Sequence, residues 1–150
     1  MTNLKAINEF MGQKNIAVAG VSRTKYKFGN TIFHELSKKG MNVYPVNPNL
    51  EEFEGMKCYK SIESLPEDVT GIVINTKPAV TAELIKAVEA KGIKNIWLQQ
   101  GSADKKTITE SVKSPSNIIA GRCILMFNEP AKGMHGFHRW LKKSFGKFPK

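Results

Sequence analysis

What this chain can fold into is constrained most by an alternation. Five short apolar runs, bounded by turn residues, are separated by segments with helical spacing. "NIAVAGVS" from Asn15 is the first run and reads as a buried strand. "NTIFHELSKKG" follows, with Ile32, Phe33 and Leu36 at helical spacing and Gly40 placed to end the helix. "NVYPVNPN" reads as a second strand, with Pro45 marking an edge or an irregularity. "GMKCYKSIESLPEDV" is a connector with one helical turn expected near Ser61 to Leu65. "TGIVINT" is a third strand. "PAVTAELIKAVEAKG" is the clearest helix, with Pro78 at its start and Gly92 after its end. "NIWLQQG" is a fourth strand, "SADKKTITESVKS" a helix with Ser102 as its expected N-cap, and "NIIAGRCILMF" holds a fifth strand.

Strands alternating with helices through short links predict a mostly parallel, five-stranded sheet covered on both faces. The expected fold is a doubly wound, Rossmann-like α/β domain over about Asn15 to Leu125, preceded by an N-terminal helix. Residues 1–127 are read as this domain and residues 128–150 as a basic amphipathic tail. No apolar run approaches the roughly 20 residues that span a bilayer, and the first residues lack a signal-peptide pattern. Cys58 and Cys123 show no C-x-x-C spacing. A reducing, cytoplasmic setting is the expectation. The net charge of +10 points to an anionic partner.

In such sheets ligands bind beyond the carboxyl ends of the strands, near the switch in strand order. Gly20, Ser22, Arg23 and Lys25 follow the first strand, Asn47 and Pro48 the second, Thr76 and Pro78 the third. Gln100 and Gly101 follow the fourth, and Gly121, Arg122 and Cys123 the fifth. The set is small, polar and basic, without an acid. A G-x-G-x-x-G fingerprint is missing: Gly20 and Gly29 stand with Arg23, Lys25 and Lys27 between them. An acid on the ribose hydroxyls would end the second strand of an NAD-specific domain, and Asn47-Pro48-Asn49 stands there instead. The residues point to a pyrophosphate ligand with an extra ribose phosphate, held near Gly20 and the following amides. NADP and coenzyme A both qualify.

The stretch "IAVAGVSRTKYKFGNTIFHELSKKGMNVYPVNPN" resembles the start of the small single-domain CoA-binding proteins, which are related to the N-terminal domain of the succinyl-CoA synthetase α subunit. "GMKCYKSIESLP", "VINTKPAVTAELIKAVEAKGIKNIWLQQGS" and "IIAGRCILMF" match in the same order. "YPVNP" followed by "GMKCYKSI" is the more specific part. The resemblance implies a Rossmann-type fold that binds CoA or acyl-CoA. It implies Gly20, Ser22 and Lys25 near the phosphates, Asn47 and Pro48 near the adenosine, Thr76 and Pro78 lining the site, and Gln100 and Gly101 facing the thiol arm. It supports binding and not ligase chemistry, because a phosphorylated histidine and an ATP-binding domain belong to other domains of the synthetase. An NADP-dependent oxidoreductase, or another nucleotide-binding Rossmann protein, is the alternative.

Each reading has a plainer counterpart. Gly20 and Ser22 could form a tight turn only, Asn-Pro-Asn is a turn by itself, and Thr76 could cap a helix. Cys123, near the expected ligand mouth, could form a mixed disulfide with the CoA thiol; the plainer reading, a small buried hydrophobe, is preferred. His135 and His138 lack a third ligand for a metal, and His34 is given a packing role beside Phe33. Net charge alone would suggest nucleic acid, but no aromatic-basic sheet motif supports it. In the tail, Met134, Phe137, Leu141 and Phe145 fall on one helical stripe. It is expected to dock on the domain, a second copy or a partner protein.

Overall fold

The computed structural model describes residues 3–128. The expected C-terminal tail, with its two histidines, lies outside the described residues from residue 129 on.

The main sheet has five strands in the order β2-β1-β5-β6-β7, all parallel: β1 Asn15–Ala19, β2 Asn42–Val46, β5 Gly71–Ile74, β6 Asn95–Gln99 and β7 Asn117–Arg122. Two short strands, β3 Glu52–Phe53 and β4 Met56–Lys57, form a separate hairpin. The helices are α1 Leu4–Met11, α2 Phe28–Lys38, α3 Pro78–Lys91 and α4 Lys105–Ser111. The doubly wound α/β fold expected from the alternation is the one observed.

Side chains of a strand point alternately to its two faces, and the core divides accordingly. Ile16, Val18, Val43, Val73, Trp97 and Ile119 face α1 and α2, which contribute Ile7, Phe10, Ile32, Phe33 and Leu36. Ala17, Ala19, Ile72, Ile74, Ile96 and Leu98 face α3, with Ile85 and Val88, and the connector residues Ile62, Leu65 and Val69. Every residue of β5 and β6 is buried, as continuous apolar strands covered on both sides require. Phe10 packs edge-on against Trp97, ring centroids 5.4 Å apart, and joins the first helix to the centre of the sheet.

Several local expectations are corrected. Helix α2 starts at Phe28 rather than at Asn30, so Gly29 and Asn30, both buried, lie inside its first turn. Residues 61–65 form bends and turns, closed by Leu65 N–H donating to the Ile62 carbonyl at 3.1 Å, and not a helical turn. Pro66 follows, which disfavours helical geometry in Leu65. The β3–β4 hairpin was not anticipated because its strands are too short to show an alternation. Asp104, not Ser102, caps α4: its carboxylate accepts from Thr107 N–H at 2.7 Å, and these hydrogen bonds hold its pKa below the usual range. His34 is half-exposed, and its Nε2 lies 2.7 Å from Glu54 Oε2 as well as beside Phe33. At the end of β7 the register slips by one residue, two positions on β6 facing three beyond Ile119. Gly121, with φ 68°, supplies the backbone for this bulge.

No described helix is long and apolar enough to cross a membrane. Among the described residues, no group of three or more His, Cys, Asp or Glu is placed to hold a metal ion.

Candidate functional site

The chain leaves β1 for the neighbour on one side, β2, then returns to the other side, β5. The strand order therefore switches between β1 and β5, and a crevice opens beyond their carboxyl ends. A cleft of about 350 Å³ occupies this place. Ala19, Val46 and Ile62 form its apolar floor, and Val80, Leu84 and Ala87 of α3 form one wall. Gly20, Asn47, Pro48, Asn49 and Thr76 stand along the polar rim, with Lys60, Ser61 and Glu63 of the connector.

The two glycines of the first loop close this end of the sheet by contact. Gly20 has φ 118°, and a Cβ there would lie 2.2 Å from the Asn75 carbonyl oxygen at the end of β5. A Cβ on Gly29 would lie 2.1 Å from the Gly20 carbonyl oxygen. The first turn of α2 thus rests directly on the end of β1, which in turn rests on β5. Both residues answer a need for backbone proximity, one of the roles glycine plays in dinucleotide fingerprints.

Asn30 holds the loop between them. It is buried, its Oδ1 accepts from Ser22 N–H at 2.8 Å, and its Nδ2 donates to the carbonyls of Ser22 at 2.8 Å and Thr24 at 3.1 Å. Asn47 does similar work across the gap: its Nδ2 donates to the Val21 carbonyl at 2.7 Å and its Oδ1 accepts from Asn49 N–H at 2.8 Å. Arg23 completes the link, donating to the Asn49 carbonyl at 3.0 Å. The loop after β1 and the loop after β2 are one hydrogen-bonded unit. Burial raises the pKa of the Cys58 thiol, whose Sγ lies 3.9 Å from the Asn47 carbonyl.

Helix N-termini carry partial positive charge. Asn3 caps α1 and Asp104 caps α4 by side-chain hydrogen bonds. At α2 and α3 the N-cap positions are Lys27 and Lys77, neither with a side-chain cap bond, and neither first turn contains an acid. These are the two helices that begin at the switch in strand order. Thr76, considered as a cap for α3, instead shares a hydrogen bond of 2.8 Å with Thr81 Oγ1.

The residues singled out from sequence fall into two groups. Gly20, Asn47, Pro48 and Thr76 line the cleft together. Ser22, Arg23 and Lys25 lie in the adjoining loop, where Ser22 Oγ accepts from Thr24 N–H at 3.1 Å and Lys25 is exposed. Gln100 and Gly101 form an exposed turn after β6, and Gln100 N–H donates to the Arg122 carbonyl at 3.2 Å. Cys123 is buried in the core on the α1–α2 face and does not line the cleft. Pro78 opens α3 and borders a second hollow of about 560 Å³ between α3 and α4, which none of the cleft residues lines. Asn30, Lys60, Ser61 and Ile62 were not singled out. The match "GMKCYKSIESLP" contains three of them, but only the pairing of Tyr59 with Val46 carries that segment to the end of β2.

The α subunit of ADP-forming acetate–CoA ligase II of Pyrococcus furiosus is 31% identical over 137 residues, 83% of this chain and 30% of that subunit. The chain spans less than a third of the length of the curated acetate–CoA ligases it matches. A conserved hypothetical protein of Pyrococcus furiosus superimposes with a TM-score of 0.70 at 39% identity, covering 74% of this chain and 96% of that one. A hypothetical protein of Pyrococcus horikoshii superimposes with a TM-score of 0.74 at 29% identity, covering 91% of each chain. Residues 14–129, the doubly wound unit from just before β1 to just past the turn after β7, match the family described as the CoA binding domain, and the chain belongs to that family.

Proposed function

We propose that this chain binds coenzyme A or acyl-CoA and performs no chemistry on it. The pyrophosphate rests on the loop after β1, against the first turn of α2. The adenosine enters the cleft between Asn47-Pro48 and α3. The thiol arm runs toward Gln100 and Gly101. One observation carries this reading: two helices without side-chain caps or first-turn acids begin around Gly20, beside a cleft with an apolar floor. Helix N-termini stabilise an anion, and an apolar slot beside them takes a flat base. Membership of the CoA binding domain family and similarity to acetate–CoA ligases support CoA over other nucleotides.

Calorimetric titration with CoA, NADPH and a short oligonucleotide tests the ligand class. CoA is expected to bind at one site per chain, with an affinity that falls as salt rises because phosphates meet Arg23 and Lys25. NADPH binding without CoA binding would overturn the assignment. Acetyl-CoA incubated with the protein, ADP and phosphate is expected to persist as it does in buffer. Release of free CoA in that mixture would overturn the non-catalytic reading.

A further inference from the structure

Resting on the CoA reading, we propose that Lys60 is the residue that reads the ribose phosphate of the ligand, and that Glu51 is the anion it pairs with when the ligand is absent. Among the described residues lining the cleft, Lys60 is the sole cation and Glu63 the sole acid. Lys25, the nearer choice from sequence, does not line it.

The backbone around Lys60 is fixed. Tyr59 N–H donates to the Pro45 carbonyl at 2.9 Å, and Asn47 N–H donates to the Tyr59 carbonyl at 3.0 Å. These bonds add the Tyr59 segment to the carboxyl end of β2. That is where a doubly wound domain discriminates the ribose: an acid there bonds free hydroxyls, whereas a cation there suits a phosphate. The side chain of Asn47, the residue that sequence alone offers at this position, is committed to Val21 and Asn49. Arg23 also reaches this end, but it lies outside the cleft lining and its guanidinium donates to the Asn49 carbonyl at 3.0 Å; Lys60 is the side chain that brings positive charge to the cleft itself at the second strand's end.

Glu51 forms an ion pair with Lys60. The two are held near each other because Cys58 N–H donates to the Glu51 carbonyl at 3.0 Å across the β3–β4 hairpin. Both side chains are at least half exposed, so the pair is weak and open to exchange. A phosphate carries more negative charge and more acceptor oxygens than a carboxylate, and it displaces Glu51 from the ammonium group.

The experiment compares CoA with dephospho-CoA, which lacks only the ribose phosphate, by calorimetry on the parent chain, Lys60→Gln and Glu51→Gln. Lys60→Gln is expected to weaken CoA about tenfold and dephospho-CoA less than twofold. Glu51→Gln is expected to tighten CoA about threefold and leave dephospho-CoA unchanged. Equal weakening of both ligands by Lys60→Gln, or no weakening of either, overturns the assignment while leaving CoA binding intact. Weaker CoA binding by Glu51→Gln overturns the exchange. Binding of neither ligand by the parent chain overturns the CoA reading itself, and this proposal with it.

Discussion

Gly29→Ala is expected to lower the stability of the domain by about 3 kcal/mol, although the substitution improves helix propensity. Two effects oppose each other here. Alanine is favoured over glycine inside a helix by about 1 kcal/mol. Against that, the added Cβ would lie 2.1 Å from the Gly20 carbonyl oxygen and 2.6 Å from its carbon. Gly20 has little room to retreat, because it is itself packed on the end of β5, where an added Cβ would lie 2.2 Å from the Asn75 carbonyl oxygen. The backbone of α2 must lift off β1, and overpacking of this kind costs more than propensity returns. A loss of this size is a large part of the 5–15 kcal/mol typical of a domain. Urea unfolding checks it: the midpoint falls with an unchanged slope. Gly40→Ala, at φ 98° with open space around it, serves as the comparison and is expected to cost only about 1 kcal/mol. A raised midpoint for Gly29→Ala would sink the claim that α2 rests on β1 through this glycine.

Asn30→Ala is expected to be comparably damaging, by about 3 kcal/mol. It removes three hydrogen bonds from the loop after β1 and leaves the amide and carbonyl of Ser22 without their side-chain partner. Polar groups left unsatisfied in a half-buried loop cost about 1–3 kcal/mol each. The loop that is proposed to carry the pyrophosphate loses its tether, so CoA affinity falls with stability. Asn30→Asp is the sharper version. Its carboxylate would face two carbonyl oxygens at a buried position, so the protonated form is favoured and the folded pKa lies above the ordinary value. The folded state then binds more protons than the unfolded one. The variant is expected to be most stable at acid pH and to lose stability as pH rises above about 4, the unfolded value. The parent chain has no such slope from this residue. A flat difference between variant and parent across pH would show that Asn30 is not buried against those carbonyls.

The fold was legible because its signals are local. Ile16 to Val18, Ile72 to Ile74 and Ile96 to Leu98 are apolar runs that only covered strands tolerate, and Pro78 and Gly92 bracket one helix by backbone chemistry alone. The glycine loop after β1 was legible for the same reason. Asn30 was not: in sequence it stands where a helix start is expected, and its burial follows from α2 beginning two residues earlier. Lys60 was hidden for a different reason. Twelve residues separate it from Asn47, and only the hydrogen bonds of Tyr59 bring it to the same strand end. Cys123 illustrates the reverse case. Its position after a strand suggested the ligand mouth, but the bulge at Gly121 precedes its burial in the core.

The contact between the first helix and the last strands has a consequence in time. Ile7 and Phe10 of α1 find their partners on β6 and β7, where Phe10 meets Trp97 and the Asn117 side chain donates to the Ala6 carbonyl at 3.0 Å. Ala6 and Asn117 are 111 residues apart. A ribosome adding about 5–20 residues per second needs roughly 5–20 s to supply that strand after the helix has emerged. During that interval the partners that β6 and β7 give to α1 are absent. The helix is therefore locked to the far side of the sheet only after nearly the whole domain has been made.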